Sequence, residues 1–309
     1  MSERIVYLNG AYLPESEAKI SVFDRGFFWG DGVYDVARTL NHAPYKLREH
    51  VERLYRSLRY ARIDPGMDPE KMEAVSREVV ERNRPRWAPH EYHRICQHVT
   101  RGPQAYTGSG DVHTPRATVL VHCAGLDWPR MAKGYREGIR LATPSIRQRP
   151  SEYLDPRVKS TSKLGHIMAE MEARQAGADA ALLLDQDGFV TEGISANFFF
   201  VERGTLVTPP MLETLAGVTG TTLIELAADL GIPVRQRIFA PYDVYAGDEA
   251  FLASTGFFLM PVSHLNGYRI GSETPGPLTL RLLKAWGDKV GLGIVAQAEK
   301  NASMSGEAP

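Results

Sequence analysis

Lys159 lies in the stretch LDPRVKSTSKLG, just ahead of apolar residues at helical spacing, Leu164, Ile167, Met168 and Met171. Glu192 follows 33 positions later, at the end of a β-like run in GFVTEGISANFFF. A lysine on a loop can form a Schiff base with an aldehyde. A carboxylate can hold a pyridine nitrogen protonated, so that the ring absorbs carbanion charge. Together the two supply what a pyridoxal-type cofactor needs. On spacing alone a surface lysine and a strand-end glutamate are the commoner reading, and Lys163 competes with Lys159.

Other chemistries find less support. The chain has no G-x-x-x-x-G-K-[ST] loop, no H-E-x-x-H helix and no G-x-S-x-G elbow. Its 9 histidines are scattered, and His90 and His93 at i, i+3 read as a surface coincidence, so no metal is expected. The 36 basic and 37 acidic residues leave a net charge of −1, which gives no global attraction for nucleic acid or an anionic membrane. Two cysteines, Cys96 and Cys123, cannot build a disulfide scaffold. With no apolar run of roughly 18 residues and no signal-peptide core, a cytoplasmic protein is expected.

The elements that must position these residues read as α+β, and the 309-residue length fits two domains. Short strands and turns open the chain, with Asn9-Gly10 as a hairpin signal. Val51, Leu54, Tyr55 and Leu58 mark one helix face, on which Arg53 has no place and reads as solvated. A second helix is expected over 69–82, then strands over 92–100 and 117–123. Gly, Pro and mixed charge over 125–134 read as an interdomain linker. The Arg- and Pro-rich loop 144–156 is long enough to serve an active site. Further strands and helices follow, with a helix over 219–230 ending at Gly231, and a disordered tail from about 299.

Read in order, NGAYLP, DRGFFWGDGVYDV, REHVERLYRSL, the block from Lys159 through TEGISANFFFV, LAGVTGTTL and FLASTG resemble the class IV aminotransferases over nearly the whole chain. The resemblance implies a two-domain fold type IV enzyme: a smaller N-terminal α/β domain over 1–124 and a larger, β-barrel-like domain over 135–309 that binds pyridoxal 5′-phosphate. It implies that Lys159 is the Schiff-base lysine, with Lys163 inside the first helical turn. Glu192 would pair with the pyridine nitrogen and Arg53 with the phosphate. Gly217, Val218 and Thr219 would offer helix N-terminal amides to the same phosphate, with Ser254 and Thr255 beside it. Gly193, Ile194, Ser195 and Asn197 would line the cofactor. Homodimerisation with shared active sites is implied as well, Trp29 and Tyr106 reaching a neighbour's site.

Within the family, Tyr34-Asp35-Val36-Ala37-Arg38 differs from the F-E-G-I-R of branched-chain enzymes and is closer to D-amino acid and (R)-amine transaminases. Val36 would crowd one pocket, with Trp29 and Tyr34 as walls. The D-amino acid pattern is broken in turn. After Val99-Thr100-Arg101-Gly102 its R-x-H pair is replaced by Tyr106 and Gly108. A substrate carboxylate would then need Arg38, Arg94, Arg147 or Arg149, with Gly256 nearby. The expected activity is ping-pong transamination from a D-amino acid or (R)-amine to a 2-oxo acid. The alternatives are a branched-chain L-amino acid aminotransferase, an aminodeoxychorismate-lyase-like enzyme and a non-catalytic binder of the cofactor.

Overall fold

The computed structural model describes residues 3–88, 90–103 and 116–304. The chain divides into two compact units, the first comprising residues 1–126 with 158–163 and the second 127–157 with 164–309.

The first unit begins with strands β1 (Ile5–Leu8) and β2 (Ala11–Pro14), which pair Leu8 with Ala11 across the two-residue turn Asn9-Gly10. Both turn residues have positive φ, as this hairpin type requires. Helix α1 (Arg25–Trp29) leads into β3 (Gly32–Leu40) and β4 (Ala43–Tyr45). Helices α2 (Leu47–Ala61) and α3 (Pro69–Asn83) follow, then β5 (His93–Thr100) and β6 (Thr118–Gly125). The six strands form one antiparallel sheet in the order β2-β1-β6-β5-β3-β4. Val33, Ala37, Ile95, Val99, Val119 and Val121 of the sheet form a core with Leu47, Val51, Leu54 and Leu58 of α2 and with α3. Each such large aliphatic side chain contributes about 1.5–3 kcal/mol by leaving water. Asp68 caps α3 by accepting from Lys71 N at 2.7 Å, and Pro69 occupies its first turn.

The second unit starts with α4 (Trp128–Glu137), β7 (Ile139–Ala142) and α5 (Leu164–Gln175). Strands β8 (Ala180–Leu184), β9 (Val190–Gly193), β10 (Ala196–Glu202) and β11 (Thr205–Thr208) precede α6 (Val218–Asp229). Then come β12 (Val234–Gln236), α7 (Pro241–Tyr245), β13 (Glu249–Ser254), β14 (Phe258–Leu265) and β15 (Tyr268–Arg269). Helices α8 (Pro277–Val290) and α9 (Ile294–Met304) complete it. The path β10-β13-β14-β7-β8-β9 closes on itself because β9 also pairs with β10, making a barrel of six strands. Phe198, Phe199, Phe200 and Phe251 are buried around β10 and β13.

Several expectations are corrected. The stretch 125–134 is no linker. Asp127 caps α4 through Arg130 N at 3.1 Å, Pro129 sits in its first turn, and Trp128, Met131, Ala132 and Tyr135 are buried. A proline and charges that look like loop composition are here a helix start and its polar face. The boundary instead falls between residues 126 and 127, and 158–163 returns to the first unit. The tail from 299 is helical as far as Met304, with Ala298 and Asn301 buried. In α5 the apolar residues Leu164, Ile167, Met168 and Met171 are exposed, while Ala169 and Ala173 face inward. Pro261 hides β14 in the sequence, since it lacks an N–H. It is tolerated because its ladder partner is Phe251 of β13 and pairing to β7 begins one residue later, at Val262.

His93 lies fully buried on β5, its ring stacked 4.8 Å from Trp87, and neither ring nitrogen has a hydrogen-bond partner. Burial, aided by repulsion from His42, lowers its pKa from 6.5 to about 4. The unfolded chain therefore binds more protons between these two values, and stability falls as pH drops from 6.5 towards 4. The full loss from this group is on the order of 3 kcal/mol. Urea unfolding across that window should show a shallower pH slope for His93→Phe than for the unaltered chain.

Candidate active site

In the first unit the segment 158–163 runs beside β3. Tyr34 N donates to Lys159 O at 2.9 Å and Thr161 N to Gly32 O at 3.0 Å, with a β-bridge between Val33 and Ser160. Lys159 N donates to Ser57 Oγ of α2 at 3.2 Å. The lysine backbone is thus held from two sides, and its Nζ lies 4.8 Å from the centre of the Tyr34 ring, a cation–π contact. Gly30 explains part of the GDG turn. Its φ of +66° is left-handed, and a Cβ there would lie 3.2 Å from Ser162 Cα, against the lysine segment. Asp31 of the same turn accepts from Arg25 Nε at 2.7 Å and Arg101 Nε at 2.8 Å. Lys163 does not lie inside a helical turn, as α5 begins at Leu164.

Arg53 is buried, contrary to its expected solvation. It donates from Nε and Nη2 to the two oxygens of Asp35, each at 2.8 Å, and His50 Nδ1 donates to Asp35 Oδ1 at 2.7 Å. His50, Arg53 and Ser57 form a polar stripe beside the apolar stripe of α2, and both face the sheet. Apolar periodicity finds only the second stripe, which is why Arg53 looks exposed in sequence. Burial would raise the Asp35 pKa, but the charge of Arg53 and the hydrogen bond from His50 hold it well below the usual carboxylate range. For His50, burial outweighs Asp35 and keeps the pKa below its ordinary value.

The second unit holds Glu192 on β9. Its carboxylate accepts from Gln148 Nε2 and Leu215 N, each at 3.2 Å, and from Asn197 Nδ2 at 3.4 Å. Asn197, opposite Glu192 in the β9–β10 register, also donates to Leu215 O at 2.8 Å. Its Oδ1 lies where a Cβ on Gly217 would come within 2.1 Å, so glycine is required there. Gly217 precedes α6 with no side-chain cap on the helix, leaving the first amides to another acceptor. Thr219 Oγ1 lies 3.4 Å from Thr255 Oγ1, and Ser254 Oγ donates to Ser195 O at 3.0 Å. The unit therefore brings Glu192, Asn197, Gly217, Val218 and Thr219 into one neighbourhood, and Thr255 beside Thr219.

Gln148 and Leu215 carry no signal in the sequence. The 144–156 loop stands out there for its arginines, yet it is Gln148 that reaches Glu192. Arg147 is exposed and donates to Pro144 O at 2.7 Å, while Arg149 is half-buried. Tyr34, Val36 and Arg38 alternate on one face of β3, in register with His98, Cys96 and Arg94 of β5. Arg38 is buried and Arg94 exposed, donating to Gly125 O at 3.2 Å. Trp29 is exposed, with the Arg25 guanidinium 4.5 Å over its ring. Tyr106 and Gly108 lie outside the described residues.

Asp35→Asn should destabilise the chain by about 3–5 kcal/mol, because a buried guanidinium would face a neutral amide. Denaturant melts of that variant and of Arg53→Met check it. A loss below about 1 kcal/mol for Asp35→Asn would mean that the pair is not buried as described.

The Amino-transferase class IV family matches residues 32–265. A putative branched-chain-amino-acid aminotransferase of Methanocaldococcus jannaschii is 36% identical over 287 residues, covering 92% of this chain and 95% of that protein. A D-alanine aminotransferase of Bacillus licheniformis is 29% identical over 277 residues, covering 89% and 93%. Among solved structures, the T.th. branched-chain amino acid aminotransferase with pyridoxamine 5′-phosphate superposes with a TM-score of 0.85 at 31% identity, covering 94% of this chain and 95% of that one. A family match across most of the sequence, with relatives aligned over nearly the whole chain, places this chain among the class IV aminotransferases, enzymes that depend on pyridoxal 5′-phosphate.

Proposed function

We propose that this aminotransferase moves an amino group from a D-amino acid or an (R)-amine to a 2-oxo acid by a ping-pong mechanism, with Lys159 as its catalytic residue. The carrying observation is the placement of Lys159, whose backbone is paired to β3 and whose ammonium lies on the Tyr34 ring.

The residues fit the cofactor's chemistry. Glu192 offers a buried carboxylate, oriented by three donors, to the pyridinium nitrogen. The uncapped start of α6 and Thr219 and Thr255 offer amides and hydroxyls to a phosphate, and Gly217 leaves the room a side chain would fill. Arg53 is assigned to the phosphate as well, although Nε and Nη2 already serve Asp35. Pyridoxal phosphate supplies an aldehyde that takes the amino group and a ring that withdraws electrons. Lys159 Nζ holds and moves the proton that leaves the donor's Cα. Arg38 and Arg94, adjacent in register on the Tyr34 face, are proposed for a substrate carboxylate, ahead of Arg147, whose guanidinium is engaged by its own loop.

Val36 supports D-amino acid or (R)-amine donors, because it stands half-buried on the Tyr34 face where the branched-chain pattern has glycine. The relatives carry both names, and the 36%-identical one, a putative branched-chain-amino-acid aminotransferase, supports the branched-chain L-amino acid reading. Half-reactions of the purified enzyme with D-alanine, (R)-1-phenylethylamine and L-leucine separate the two. The first two should convert the cofactor faster, and a strong preference for L-leucine would replace the donor assignment.

A second copy is proposed to complete the assembly. Val22, Phe23, Phe27, Phe28 and Trp29 are all exposed within one eight-residue stretch, an apolar surface of the kind that marks an interaction site. Sedimentation should give a dimer or a multiple of it, and a fully active monomer would remove this reading.

Lys159→Ala should abolish transamination and Lys163→Ala preserve it, with borohydride fixing the cofactor to Lys159 in peptide maps. Glu192→Gln should lower kcat by at least about a hundredfold, roughly 2.7 kcal/mol of barrier, with cofactor binding changed far less. A label on Lys163, or near-normal turnover of Glu192→Gln, would reassign those roles.

A further inference from the structure

The sheet of the first unit turns one face to α2 and α3. Its other face carries Tyr34, Val36, Arg38 and Arg94, and beside them an aligned row of side chains given no part in the proposed transamination. Cys96 and His98 are two residues apart on β5 and so share that face. The β5–β6 register places His122 opposite Cys96, and the β3–β5 register places Tyr34 opposite His98. Tyr34 stacks on His98 at 5.5 Å and 8°, and His98 on His122 at 5.5 Å and 9°. The Cys96 sulfur and one nitrogen from each imidazole all lie within 4.8 Å of one another. Cys96 is buried, and both imidazoles are half-buried, open to a solute from the same side.

We propose that Cys96, His98 and His122 form a binding site for a divalent transition-metal ion of the zinc class, held by one thiolate and two imidazoles with a fourth position open. The donor set selects the ion. Thiolate and imidazole suit zinc, cobalt and nickel, whereas magnesium and calcium require oxygen ligands. None of these donors is committed to a strong bond elsewhere. Among the described residues no hydrogen bond engages the Cys96 thiol or the His98 ring. The Cys123 carbonyl lies 3.4 Å from His122 Nδ1, so a proton on Nδ1 points at that carbonyl and Nε2 is left with its lone pair for the metal.

A tetrahedral zinc site places sulfur about 2.3 Å and nitrogen about 2.0–2.1 Å from the ion, hence its donors about 3.3–3.6 Å apart. The three groups must therefore close by about an ångström. One of the stacked rings must also turn about χ2 for both lone pairs to meet. Adjacent paired strands already hold the three Cβ atoms, so only side-chain torsions move. The thiol gives up its proton to solvent as the ion binds.

The test uses the untagged enzyme with its cofactor. Equilibrium dialysis against zinc chloride should give one tightly held ion per chain, and zinc should raise Tm. Cobalt should produce a near-ultraviolet thiolate band. His98→Gln and His122→Gln, at half-buried positions where folding is readily checked by circular dichroism, should each weaken zinc binding at least tenfold. Cys96→Ser should remove the cobalt thiolate band. No ion retained at micromolar zinc would overturn the proposal. So would binding of equal affinity in the unaltered chain and both histidine variants, which would place the ion on other histidines. Should Cys96→Ser not fold, the two histidine variants decide the matter alone.

Discussion

The buried Asp35 carboxylate ties β3 to α2 through Arg53 and His50, and the position of Lys159 follows from that tie. Ser57 stands one helical turn beyond Arg53 and accepts from the Lys159 amide. Tyr34, the residue before Asp35, donates its own amide to Lys159 O. One ion pair thus sets the helix and the strand against which the lysine segment lies. Its strength comes from paired burial. Each charge alone would be costly in that core, and the bidentate contact with a further donor offsets the loss of water.

The second unit meets a similar demand differently. Glu192 accepts from neutral donors: the amides of Gln148 and Asn197 and the backbone N–H of Leu215. Neutral donors orient the carboxylate without adding a counter-charge, which suits the proposed pairing with a pyridinium nitrogen. Asn197 links this carboxylate to the α6 start, since its Oδ1 occupies the space that glycine at 217 leaves open. A caged anion and an uncapped helix start, joined by one side chain, form a more specific arrangement than either alone.

Sheet registers carry chemistry that linear spacing hides. Cys96, His98 and His122 do not form a motif along the chain, because 24 residues separate the two histidines. Antiparallel pairing of β5 with β6 removes that separation. Pairing of β3 with β5 likewise puts Arg38 beside Arg94, so two arginines that read as separate surface residues become neighbours on the Tyr34 face. In both cases the strand period of two decides which side chains meet.

From the sequence alone the family, the cofactor, the roles expected of Lys159 and Glu192 and most of the strands and helices could be read, because local pattern and ordered motifs carry them. The hairpin at Asn9-Gly10 and the α6 start after Gly217 depend on neighbouring residues only. What needed the tertiary structure depends on partners distant in sequence. Arg53 is buried because Asp35 neutralises it from another element, a fact that helix periodicity cannot contain. The stretch 125–134 is helical because Trp128 and Tyr135 find a core, and α9 persists because Ala298 and Asn301 are covered. Gln148 reaches Glu192 only because the loop carrying it folds back onto the barrel strands, with its own amide bonded to Leu184 O. Composition records what a residue is, and burial and charge pairing between distant segments decide what it does.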